Sequence, residues 1–229
     1  MKLIAIETST DICSIAYIHN GMCKNIIEGT IPRQHAEKLP LFYDELVKLT
    51  GLRLSEIDAI AVSIGPGSFT GLRIGLSYAK GLAYSHKKPI VPVPTMQSLL
   101  HGSGIEVGNV AVVMRSHGDK YFVWNQVSGI IVPGSGGSSS KYSRIHVLTC
   151  ESVNDLGIDL PNTKIIYWNC EKLFGEVEKM QNVMPVKPSA KWIGELAYQN
   201  YNKWVVKKPY KLVPDYVSPF KIGNLKSES

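Results

Sequence analysis

Ser63–Gly75 reads SIGPGSFTGLRIG, and its character changes halfway. The apolar run DAIAVSI (Asp58–Ile64) leads into it and predicts a strand apolar enough to lie inside a sheet. The turn GPGSFTG then opens a helix that runs to about Ser85. A glycine-rich turn between strand and helix is a place where anions bind, because the first helical amides lack partners. Gly65, Gly67 and Gly71 do not have the spacing of GxGxxG, however, and the GK[ST] ending of a phosphate loop is missing. A second reading competes. Gly67, Gly71, Gly75, Ala79 and Ala83 recur every four residues and form one stripe without bulky side chains. Three glycines in or beside a helix cost about 1 kcal/mol each in helix propensity, and a backbone in close contact offsets that cost. The neighbour is either the chain's own sheet or a partner helix. Helix packing is the preferred reading over phosphate binding.

Working outward, Leu3–Ile6 predicts a buried strand followed by the turn ETSTD. There Glu7 either faces a phosphate or metal or caps the turn. Cys13–Ile18 predicts a second strand, Asn20-Gly21 a hairpin turn, and residues 22–28 the returning strand. Leu39, Phe42, Tyr43 and Leu46 have helical spacing within Gln34–Leu49, with Pro40 expected to kink or delay that helix. Pro89–Val93 predicts a further strand, and Thr95 is placed to cap the helix after it. Beyond residue 103 the pattern weakens. Asn109–Met114, Tyr121–Val127, Ile145–Leu148 and Lys164–Trp168 read as strands, and GSGGSSS (134–140) as a flexible loop. Ser189 is a candidate N-cap for a helix to about Trp204, after which three prolines predict an extended tail. The sum is an α/β chain of mixed sheets flanked by helices, with lobes at 1–103 and 104–229.

Composition excludes several classes. No apolar run approaches the length that crosses a bilayer, and Glu7 breaks the N-terminal apolar stretch too early for a signal peptide. The reading is therefore cytoplasmic. Cys13, Cys23, Cys150 and Cys170 form no CxxC pair and fit a reducing compartment. The net charge of +6 is uneven. Lys187–Ser229 holds eight lysines against Glu195, Asp215 and Glu228, which favours either a polyanion or a solvated lysine-rich surface.

LIAIETST, RQHAEKLP (Arg33–Pro40), GPGSFTGLRIG and KPIVPVPT occur in this order at fitting separations, and together they resemble the TsaB (YeaZ) family over about residues 1–100. The closing PDYVSP is a weaker match. The resemblance implies a two-lobed actin-like, sugar-kinase-like fold. It implies partnership with a TsaD-like catalytic paralogue and a TsaE-like ATPase, in an assembly that places threonylcarbamoyl on the adenosine beside the anticodon of ANN-decoding tRNAs. It also aligns Thr95 and Leu99 with the two histidines of the paralogue's HxxxH metal pair. Neither side chain replaces imidazole, and His101 alone does not restore a pair. The expectation is a non-catalytic scaffold with no catalytic residue, no metal and no cofactor, reaching tRNA through the complex and able to pair with itself when the partner is absent. A metallopeptidase of the glycoprotease type and a small actin-like-fold ATPase are the alternatives. A two-helix surface is expected to make the partner interface, through His35, Leu39, Phe42 and Leu46 on one helix and Phe69, Gly71, Leu72, Gly75, Leu76 and Ala79 on the other.

Overall fold

The computed structural model describes residues 1–126, 145–175 and 180–217. The 134–140 loop and the last part of PDYVSP lie outside them. The first sheet begins with β1 (Lys2–Glu7), β2 (Ile12–His19) and β3 (Met22–Thr30), an antiparallel meander. Asn20 and Gly21, in the turn between β2 and β3, both have positive φ (51° and 78°), the geometry for which the Asn-Gly pair is suited. Next come α1 (His35–Thr50), β4 (Ala59–Gly65), α2 (Phe69–Ser85) and β5 (Ile90–Pro94). β4 and β5 add in parallel, giving the order β3-β2-β1-β4-β5. Pro40 sits inside α1 without ending it.

After α3 (Thr95–Ser103) the chain builds the same sheet again. β6 (Val110–His117), β7 (Lys120–Gln126) and β8 (His146–Thr149) form a meander, and β9 (Lys164–Trp168) and β10 (Val183–Pro185) add in parallel, in the order β10-β9-β6-β7-β8. The two sheets thus share one topology but not their helices. Where the first lobe has α1 and α2, the described residues of the second have two short 3-10 turns and α4 (Glu171–Phe174).

The helix predicted from Ser189 divides into α5 (Ala190–Gln199) and α6 (Tyr201–Trp204), and the Ser189 hydroxyl caps α5 by accepting from the Lys191 amide. Both helices correct the simple two-part division of the sequence, because residues 190–206 return to the first sheet. Ile193 and Leu196 are fully buried against Leu3, Ala5, Ala16 and Ile18, each contributing about 1.5–3 kcal/mol. α1 and α2 cover the opposite face of that sheet through Leu39, Leu46, Leu76 and Ala79. Met96, Leu99 and Leu100 of α3 pack on the second sheet with Val112 and Ile166.

Thr95 does not cap α3. It is the first helical residue, is fully buried, and its side chain makes no cap hydrogen bond, the preceding Pro94 standing at the N-cap.

Candidate functional site

The glycine stripe of α2 faces the chain itself. A Cβ on Gly71 would run into the Thr8 carbonyl oxygen, and one on Gly75 into the Thr8 hydroxyl. Thr8 seals this contact by donating its hydroxyl to the Gly71 carbonyl at 2.8 Å. One step earlier, a Cβ on Gly67 would meet the Ser9 backbone, and the Ser68 amide donates to the Ser9 carbonyl at 2.6 Å. Ser68 also caps the helix, its hydroxyl accepting from the Gly71 amide at 3.2 Å. The close neighbour that the small residues called for is therefore the turn after β1.

Most of the expected interface residues follow the stripe inward. Leu39, Leu46, Leu76 and Ala79 belong to the core under the first sheet, and Leu72 is buried. His35 is buried too, with Nε2 3.2 Å from the Ile12 carbonyl oxygen. Phe42 is half-buried beside Gly29. Phe69 is half-buried, 4.8 Å from the Tyr216 ring, with the Arg73 guanidinium 3.7 Å from its own ring.

What α1 and α2 turn outward is the next strip round each helix. Ala36, Pro40, Arg73, Ile74, Ser77 and Tyr78 line a shallow groove of about 370 Å³ floored by Leu39. Tyr43 closes one side with its ring edge-on to Tyr78 at 6.0 Å. Burial and the nearby Tyr43 push the Tyr78 phenol above its usual range, so this side chain is uncharged at physiological pH and Arg73 is a cationic member of the lining. Ser77 is exposed, and a Cβ on Gly81 would meet open space. Ser77 and Gly81 thus make a second pair of small positions that faces away from the chain, beside the half-buried Ile74. Helical spacing was the signal that held it: Ser77 and Gly81 are four residues apart, like neighbours in the inward stripe, and differ from it only in phase.

Two further places have chemistry. A cavity of about 840 Å³ lies between the lobes at the start of α2, lined among others by Ser68, Phe69, His117, Lys120 and Tyr216. Beside it β1 ends on Glu7, whose Oε1 accepts from the Ser9 amide at 2.5 Å, so the carboxyl does hold the ETST turn. Burial raises its pKa from 4.5 to about 7, outweighing hydrogen bonds from Ser9 and Ser63 that pull it down. The folded chain keeps this proton up to about pH 7, whereas the unfolded chain loses it near 4.5. Stability therefore falls as pH rises through that window, by about 3 kcal/mol in all. Glu7→Gln keeps the acceptor and removes the charge. Thermal melts between pH 5 and 8 are expected to show a declining wild-type melting temperature and a flat profile for this variant. Among the described residues no group of three or more His, Cys, Asp or Glu is placed to hold a metal ion.

Comparison with known proteins sets this geometry in a family. The family model described as TsaD: tRNA N6-adenosine threonylcarbamoyltransferase matches residues 15–130, just over half of the chain. The chain belongs to the TsaD family. Among its curated relatives are two proteins named tRNA threonylcarbamoyladenosine biosynthesis protein TsaB. The one from Haemophilus influenzae is 36% identical over 99 residues, 43% of this chain and 42% of the relative. The one from Escherichia coli is 34% identical over 113 residues, 49% and 48% respectively. The matched segment spans under half the length of these curated relatives. A crystal structure from Pseudomonas aeruginosa, described as an uncharacterized protein with similarity to peptidase YEAZ, superposes with a TM-score of 0.73 at 26% identity, covering 95% of this chain and 99% of that one. The resemblance to TsaB and YeaZ and the two-lobed actin-like fold are borne out.

Proposed function

We propose that the chain is a non-catalytic subunit that docks a TsaD-like paralogue through the outward face of α1 and α2 and supports threonylcarbamoyl transfer to tRNA. The observation that carries this is the groove between the two helices. It is largely apolar apart from Arg73 and is bordered by the exposed Ser77 and Gly81 on one helix, so a partner helix can approach closely. Two helices presented side by side to a matching pair make a four-helix contact. In the absence of the paralogue, the same face suits two-fold pairing with a second copy.

The non-catalytic half of the proposal rests on donor chemistry. At the positions aligned with the paralogue's histidines, Thr95 and Leu99 are both fully buried and neither supplies a nitrogen ligand. That disfavours the metallopeptidase alternative. The start of α2 is tied to Ser9 and Ser68 by the chain's own hydrogen bonds, which disfavours the small-ATPase alternative. The test is reconstitution with the paralogue from the same genome and its ATPase on unmodified tRNA. Modification is expected only when both paralogues are present, with this chain inactive by itself. Full modification without this chain would overturn the proposal.

A further inference from the structure

We infer that the end of the first lobe opposite the start of α2 is a contact surface for unpaired RNA, with lysines holding phosphates and two tyrosines stacking on bases. The choice of RNA rests on the proposed function; the surface itself is read from the structure. Val206 and Ile90 exchange both backbone hydrogen bonds, at 3.1 and 2.8 Å. Lys80 of α2 reaches across to donate to the carbonyls of Tyr210 (3.2 Å) and Leu212 (2.6 Å). These bonds fix residues 206–212 alongside the last turns of α2 and the loop into β5.

Two sequence segments poor in acid thereby become one surface. No Asp or Glu occurs in residues 59–105 or in 196–214. Lys87, Lys207, Lys208 and Lys211 are all exposed on the joined segments. Acids on the adjoining segment are already engaged: Glu56 pairs with Lys2 (3.0 Å) and Arg53 (2.7 Å), and Asp58 accepts the Lys2 amide at 2.7 Å. Lys88 marks the border, donating to the Ser55 carbonyl at 2.9 Å.

Within this basic field stand two rings that add nothing to the core. Tyr84 lies one turn beyond Lys80 on the same side of α2 and is 89% exposed, and Tyr210 is 69% exposed. Lysines alone would suit any polyanion. Lysines with interleaved exposed aromatic rings suit a single strand, whose bases offer faces that a closed duplex or a lipid headgroup does not.

The test is fluorescence anisotropy of the full chain with a labelled RNA hairpin with an unpaired loop, at rising salt. Replacing Lys207 and Lys208 with alanine is expected to lower affinity about tenfold and reduce the salt slope by about 1.4, at roughly 0.7 per lost phosphate contact. Tyr84→Ala is expected to weaken binding about tenfold with the slope unchanged, and Tyr84→Trp to restore it. Unchanged affinities would overturn the inference, as would equal affinity for a blunt duplex of the same charge. Preferential retention on phosphatidylserine vesicles would also overturn it, by assigning the surface to lipid. Capture of the paralogue is measured in parallel. Lysine variants that fold but lose the paralogue would assign the surface to a protein interface and defeat the RNA reading. Wild-type chain that captures the paralogue but ignores the hairpin defeats this inference alone; failure to capture the paralogue defeats the proposed function instead.

Discussion

Gly71→Ala is expected to lower the melting temperature by about 4–8 °C, while Gly81→Ala on the same helix raises it. In an open helix either change adds about 1 kcal/mol of stability, because alanine is the better helix former. At Gly81 the added methyl meets nothing within van der Waals range, so that gain is expected in full. At Gly71 the methyl meets the Thr8 carbonyl, which is backbone and cannot rotate away. The same Thr8 is bonded to Gly71 through its hydroxyl, so relieving the clash means separating α2 from the end of β1. Overpacking against a fixed neighbour costs about 3 kcal/mol, a net loss of about 2 kcal/mol after the helix gain, and in a chain of this size each kcal/mol is worth about 2–4 °C. Calorimetry or circular dichroism on the two variants checks the contrast. Equal shifts of the same sign would mean that the stripe does not lie on the turn.

Ser77→Arg is expected to leave the melt almost unchanged and to weaken binding of the TsaD-like paralogue about a hundredfold. Ser77 is exposed on α2 and has no side-chain hydrogen bond within the described residues, and surface changes of this kind stay within about 0.5 kcal/mol. In a closed helix pair the arginine would bury an unpaired charge at the centre of the contact, costing about 3 kcal/mol, or two orders of magnitude in Kd. Isothermal titration of both proteins checks this. A stable variant that binds as tightly as wild type would exclude the groove from the interface.

Much of the first lobe was legible because its patterns are local. Asn20-Gly21, the DAIAVSI run and the small-residue period of α2 each announce an element without help from distant residues. The phase of α2 was not legible. A period of four specifies a stripe but not which neighbour it meets, and Thr8, the residue that decides this, stands far away in sequence. The inward placement of Leu76 and Ala79 follows from that one contact, while Leu39 and Leu46 of α1 are buried in the same core cluster. The groove residues Ile74, Ser77 and Tyr78 were missed for the same reason. The return of α5 to the first sheet was equally hidden, since Ser14 receives the Ala190 amide at 3.0 Å across most of the chain's length. Pro40 does not delay α1, which starts at His35 and is held on the sheet on both sides of the proline by Leu39 and Leu46.

The most direct measurement is site-specific photo-crosslinking in the reconstituted complex. A benzophenone side chain placed at Ser77 is compared with one at Val107, an exposed residue before the second sheet. The α1–α2 face as the docking site predicts a covalent adduct between the TsaD-like paralogue and the Ser77 probe, with none from the Val107 probe. A complex that forms normally but gives no adduct from Ser77, or gives one from Val107 instead, would contradict it.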